Sequence, residues 1–258
     1  MPVGYSAQAT ASVELFMDYM GEAGVDRAVF VQPWFYHGDN DYMLRCRERF
    51  PERFRAVCVV EPYGPEAPAA LRRWVARGAT GIRLRGPRPG ERLPFGPSWF
   101  GTDETLPLWE AIAEAGLIVC PLQAGTDLGR VRNLLRRFPG VRLVVDHLNN
   151  PDPGLGLDQP AFHALLELAD LPQVHAKLSG FHHWCRQRYP YRDGMPFVRA
   201  TLQAFGADRC MWGSDFPHVL AGCGYVRNRN FLPREVTFLS TMELDAVMGG
   251  TAERLWFA

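Results

Sequence analysis

No stretch of this chain approaches the roughly 18 consecutive apolar residues that suggest a membrane span. Its first residues, "MPVGYSAQAT", lack the basic start and apolar segment of a secretory signal. An excess of either charge is missing too. Lys+Arg and Asp+Glu both number 28, giving a formal net charge of zero, so neither nucleic acid nor a membrane surface is expected as a partner. Cysteine is sparse and unpatterned. Cys46, Cys58, Cys120, Cys185, Cys210 and Cys223 form no CxxC pair, and Cys58, Cys120 and Cys210 fall inside apolar runs. They read as reduced thiols packed as small hydrophobes in a cytoplasmic protein, not as a disulfide framework. Gly-rich phosphate loops of the GxGxxG or P-loop type are also absent, which counts against a doubly wound nucleotide-binding sheet. No linker rich in Gly, Ser or Pro divides the chain.

What is present is an alternation. Seven apolar runs, 27–32, 56–60, 80–84, 117–122, 141–146, 174–179 and 209–214, are near-continuous and β-branched in places, as strands buried on both faces should be. Longer amphipathic stretches separate them. Val13, Phe16, Met17 and Met20 keep helical spacing, as do Val131, Leu134, Leu135 and Phe138, and Leu106, Trp109 and Ala113. Ser240 and Glu243 are placed as a capping box. Seven strand–helix units in about 250 residues predict an α/β fold of the (β/α)8 TIM-barrel type, as one domain over residues 1–258. The first element is a helix, however, and residues 1–9 are too short and polar for a central strand. The barrel is therefore expected to have its first strand missing or replaced.

In such a barrel the chemistry sits at the C-terminal strand ends. Read in order, these ends carry Gln32, Glu61, Arg83 or Arg85, Gln123, Asp146 with His147, Lys177 with Ser179, and Ser214 with Asp215. One polar strand exit is commonplace, but seven converging on one face point to a site. Asp215 is the strongest candidate, as a general base for water or a metal ligand; an Asx turn before Pro217 is the plain alternative. His147 can bind a metal or move protons near neutral pH. Asp146 reads as holding a loop or a backbone amide. Lys177 interrupts an apolar run, which fits a side chain facing a cavity. Arg83, Arg85, Arg88 and Arg92 crowd one loop, and arginine's paired donors suit a carboxylate, so an acidic small-molecule substrate is expected. His182 and His183 would point apart in extended chain and have no standard zinc spacing with Cys185, so they read as pocket-lining only. His218 lines the pocket or caps the turn.

Several pieces together, "AGVDRAVFVQP" (23–33), "FPERFRAVCVVEP" (50–62), "FPGVRLVVDHLNNP" (138–151), "VHAKLSG" (174–180) and "MWGSDFPH" (211–218), resemble the amidohydrolase-related family. The resemblance implies a (β/α)8 barrel that hydrolyses a C–O or C–N bond or decarboxylates. It implies Asp215 as the catalytic or metal-linked carboxylate and His147 as a histidine of the same site. It also implies a first strand with an HxH pair that commonly ligates a divalent metal, yet no HxH occurs here, and Gln123 stands where metal-binding members often place His. His147 and Asp215 alone make a poor metal site, since catalytic zinc usually has three protein ligands. Either one zinc-like divalent cation is bound or none is, and either the start is truncated or the chain is a metal-free member; "MPVGYSAQATASVELF" favours the truncation.

The expected activity is opening of a small carboxylated lactone by water that Asp215 activates. Gln32, Arg83, Arg85, Gln123, Lys177, His182 and His218 would contact substrate. A decarboxylase, or a catalytically inactive ligand-binding barrel, are the alternatives. A barrel short of one strand has two edges, so association into a homo-oligomer is also expected.

Overall fold

The computed structural model describes residues 11–85, 102–122 and 124–258. Seven strands form one sheet in chain order: β1 (Ala28–Val31), β2 (Phe54–Val59), β3 (Gly81–Arg85), β4 (Ile118–Leu122), β5 (Arg142–Val145), β6 (Val174–Leu178) and β7 (Cys210–Trp212). Every neighbouring pair is parallel. Each strand lies within one of the predicted apolar runs or overlaps it closely. Parallel strands need crossovers, and these are helical: α1 (Val13–Ala23) precedes the sheet, and α2 (Asp41–Arg49), α3 (Ala67–Ala76), α4 (Leu106–Glu114), α5 (Leu128–Arg137), α6 (Pro160–Leu166), α7 (Phe181–Trp184) and α8 (Met195–Phe205) fall between strands. Four short helices follow β7: α9 (Tyr225–Arg229), α10 (Phe231–Glu235), α11 (Thr241–Asp245) and α12 (Thr251–Trp256).

Local sequence explains the helix ends. Ser12 caps α1 by accepting from the Leu15 amide at 3.2 Å, and Gly24, at φ 66°, ends it. α3, α4, α6 and α8 each carry Pro in the first turn, where the missing N–H is not needed. The predicted capping box of Ser240 and Glu243 is present.

Strand alternation sorts the side chains between two cores. Ile82, Leu84, Leu143, Val145, Ala176 and Leu178 pack outward with the helices. Val57, Ile118, Cys120, Val144 and Met211 turn inward and meet Leu255 and Trp256 of α12, so the sheet curls round them. Arg55 donates to the Trp256 carbonyl at 3.0 Å and Arg142 to the Leu255 carbonyl at 3.3 Å, fastening α12 across the open N-terminal end. Gly81 makes room for it: a Cβ there would lie 3.1 Å from the Trp256 ring and 2.7 Å from the Ile118 carbonyl oxygen. Burial pushes the Cys58, Cys120 and Cys210 thiols up to about 12, which fits inert core thiols. All six cysteines are free.

The architecture is a TIM-type α/β fold with seven strands among the described residues. Residues 209–214, the last of the seven predicted runs, hold β7, and within the described residues β1 pairs only with β2 and β7 only with β6. No helix among those residues is long and apolar enough to cross a membrane.

Candidate active site

On β3, Ile82 and Leu84 face the helices, so the intervening Arg83 faces inward. Lys177 does the same on β6, between the buried Ala176 and Leu178. Asp146, one step past β5, is fully buried and takes both cations: Lys177 Nζ on Oδ1, and Arg83 Nη2 on Oδ2 at 2.6 Å. The sequence reading had Asp146 holding a loop or backbone amide; it holds two side-chain cations instead, because both inward-facing strand positions point at it. Burial pushes its carboxyl up, but Lys177 and Arg83 outweigh burial and hold it well below the usual range. Arg83 also donates to the Gln32 carbonyl at 3.1 Å, and the Gln32 side chain donates to the Asp39 carbonyl.

His147 begins an unusual turn. Residues His147, Leu148, Asn149 and Asn150 all have positive φ, between 53° and 62°. Left-handed L-residues cost about 1–2 kcal/mol each, so the surroundings must hold them there. Asn149 does much of this. Its Oδ1 accepts from the Gly125 amide at 3.0 Å, and its Nδ2 donates to the Gly125 and Ala161 carbonyls at 2.9 and 2.8 Å. The turn brings His147 Nδ1 to 2.8 Å from Ser179 Oγ. Gly180, at φ 69°, lets the ring pack close; a Cβ there would lie 2.5 Å from Nδ1.

Asp215 also has a left-handed backbone, φ 55°. The Phe216 amide donates to Ser214 Oγ at 3.3 Å and the Phe216 ring stacks on Phe16 at 4.8 Å, which fixes the turn. The Asp215 carboxylate meets three imidazoles. His147 Nε2 is 3.9 Å from Oδ1; His182 Nε2 and His183 Nε2 are 3.3 and 3.1 Å from Oδ2. Burial pushes the Asp215 carboxyl up, and the imidazoles around it overcome that and keep it well below the usual range. Burial lowers His147 and favours its neutral ring, against the pull of Asp215 and Asp146.

The sequence reading placed His182 and His183 as if in extended chain, with rings apart. They sit instead in the single turn of α7, started by the left-handed Gly180. Helical neighbours diverge by about 100° rather than the near-180° of a strand, and the two rings lie 4.1 Å apart. The signal was present as a Gly directly before "FHHW". His218, lowered by burial, has its ring 5.2 Å from that of His183. Arg85 ends β3 with its guanidinium 4.9 Å from the Trp34 ring centre. Gln123, Arg88 and Arg92 lie outside the described residues.

One cavity of about 910 Å³ opens beside Asp215; Arg85, His182 and His183 are not among the residues that line it. Val29, Val31 and Met211 line its lower part, between β1 and β7; Arg83, Asp146, His147, Lys177, Asp215 and His218 line its upper part. Across residues 1–258 the chain matches the family model described as Amidohydrolase. The chain belongs to the amidohydrolase family. This amidohydrolase is 31% identical over 201 residues to an L-fucono-1,5-lactonase of Burkholderia ambifaria, covering 77% of this chain and 67% of that protein. Its fold matches a Pseudomonas putida structure described as a "Putative 2-Pyrone-4,6-Dicarboxylic Acid Hydrolase", with TM-score 0.79 and 26% identity over 97% of this chain and 89% of the other. It also matches an amidohydrolase of Burkholderia multivorans with bound zinc, with TM-score 0.73 and 22% identity over 95% and 87%. The amidohydrolase spans about two thirds of the length of the curated relatives it matches.

A divalent cation is common in this family, and the donors here fit one. His182, His183 and Asp215 each bring a ligand atom within 4.8 Å of the others. Both ring nitrogens of His182 and Oδ2 of Asp215 are buried without a well-formed hydrogen bond.

Proposed function

We propose that this amidohydrolase opens a small lactone by adding water to its carbonyl carbon. The observation that carries the reading is one cavity mouth with two unlike walls. On one wall the Asp215 carboxylate faces imidazoles; on the other Lys177 and Arg83 share the single carboxylate of Asp146. Hydrolases of lactones among its relatives support it.

In this reading Asp215 takes a proton from water as the water oxygen bonds to the carbonyl carbon. The carbonyl oxygen becomes an oxyanion. Lys177 and Arg83 bring two positive charges against the one negative charge of Asp146, so their wall keeps a surplus positive charge that stabilises the oxyanion. When the tetrahedral carbon collapses, the ring C–O bond breaks and the departing alkoxide receives the proton that Asp215 took. His147, tied at Nδ1 to Ser179, keeps Nε2 turned toward Asp215 Oδ1 at 3.9 Å, where the ring interacts electrostatically with the carboxylate. The same surplus charge, with Arg85 at the tip of β3, favours a substrate that itself bears a carboxylate. A divalent cation would supply Lewis-acid polarisation at this mouth. The reading includes an eight-stranded barrel: the cavity runs down between β1 and β7, each paired on one side only among the described residues.

The test offers the purified protein L-fucono-1,5-lactone, 2-pyrone-4,6-dicarboxylate and simple five- and six-membered lactones, with acid release followed in a pH-stat. Turnover of at least one of them is expected, and Asp215→Asn should reduce it about 10³-fold. No turnover of any lactone, or an undiminished rate in the variant, overturns the reading.

A further inference from the structure

We propose that His182 Nε2, His183 Nε2 and Asp215 Oδ2 form a mononuclear divalent-cation site of zinc type, in which one short helical turn supplies both imidazoles.

The distances carry this first. In a tetrahedral zinc site, with N and O ligands about 2.0–2.2 Å from the metal, neighbouring ligand atoms lie roughly 3.4 Å apart. The two histidine nitrogens stand 3.3 and 3.1 Å from Oδ2. At hydrogen-bond range those atoms would be expected to bond, yet Oδ2 and both nitrogens of the 6% exposed His182 side chain make no well-formed hydrogen bond. Buried polar atoms are rarely left so. A cation placed between them satisfies Oδ2 and one nitrogen of each ring at once. Among the described residues these three are the one group of His, Cys, Asp or Glu that converges this way.

The surroundings fit a site that keeps an open position. The His183 side chain is 46% exposed, so a bound ion would retain access to water, as catalytic zinc with three protein ligands does. His147 stays outside the ligand set. Ser179 Oγ occupies its Nδ1, and its Nε2 faces the other carboxylate oxygen, Oδ1. At 3.9 Å it lies beside the carboxylate without bonding to it, outside the group of atoms that converge. An HxH pair is therefore not required for three protein ligands to meet here.

The site stands on this geometry, and it rests on the hydrolase reading only for what the ion would do. The experiment uses the full chain, stripped with chelator and titrated with Co²⁺, followed by visible absorption; metal content after Zn²⁺ loading is measured by mass spectrometry. About one metal per chain and the intense bands of tetrahedral Co²⁺ are expected. His182→Gln and His183→Ala should each weaken binding at least roughly tenfold, with far-ultraviolet circular dichroism unchanged. His163→Ala, on the exposed side of α6, should bind as the parent does. Absence of stoichiometric metal, or a Co²⁺ spectrum that survives both variants, overturns the site. Metal lost in both variants supports the site even where no lactone is turned over. Lactone turnover by a chain that binds no metal overturns the site and leaves the hydrolase reading intact.

Discussion

Residue by residue, the mouth of the cavity separates into a carboxylate for chemistry and a carboxylate for support. Asp146 is the support: among the described residues it is the only anion shown bonded to Lys177 and Arg83, and all three are largely shielded from water. Asp146→Asn leaves two buried cations without their counter-charge and should cost about 3–5 kcal/mol, measured by urea unfolding. Lys177→Met keeps the Arg83–Asp146 pair and should cost clearly less. The Asp146 carboxyl is held below its ordinary value, so its contribution is complete at neutral pH. It declines once pH falls below the ordinary carboxylate value and is gone below the depressed folded one; Asp146→Asn should remove that part of the acid sensitivity. Asp215, His147, Lys177 and Arg83 were readable as site candidates because strand ends of a parallel barrel must converge. The pairing of Asp146 with two cations was not, since sequence shows which residues end strands but not which of them touch.

At the level of elements, the sheet was legible and the turns were not. A continuous apolar run buried on both faces has few other readings, and all seven runs became strands. The left-handed turn at 147–150 offers only His147 and the pair Asn149-Asn150 as clues, since these residue types take that conformation more readily than most, whereas Leu148 seldom does. Its hold comes from three hydrogen bonds of the buried Asn149 side chain to residues remote in sequence. Asn149→Ala removes all three and leaves buried backbone groups unpaired. A loss of about 3 kcal/mol is expected in thermal or urea melts, together with a fall in kcat as His147 loses its aim at Asp215. The turn of α7 escaped in the same way: four residues are too few for periodicity, and only the Gly180 ahead of it marks a start.

For the whole molecule, the inner core depends on α12. Trp256 is 6% exposed and fills the space left by Gly81, against residues from five strands. Trp256→Ala should therefore destabilise the fold by about 3–5 kcal/mol and lower Tm by roughly 10 °C, without touching the cavity mouth. Lactone turnover at low temperature should persist in that variant. The parallel barrel class was readable from the seven-fold alternation; that its floor is made by residues 251–256 was not, because the pattern of a short helix does not say where it docks. This docking has a consequence in time. The bond from Arg55 to the Trp256 carbonyl spans 201 residues, so it cannot form before the last helix has been synthesised. A ribosome-bound chain that stops short of Trp256 lacks the side chains that cover the inner face of the sheet, and it should remain protease-sensitive along its inner strands.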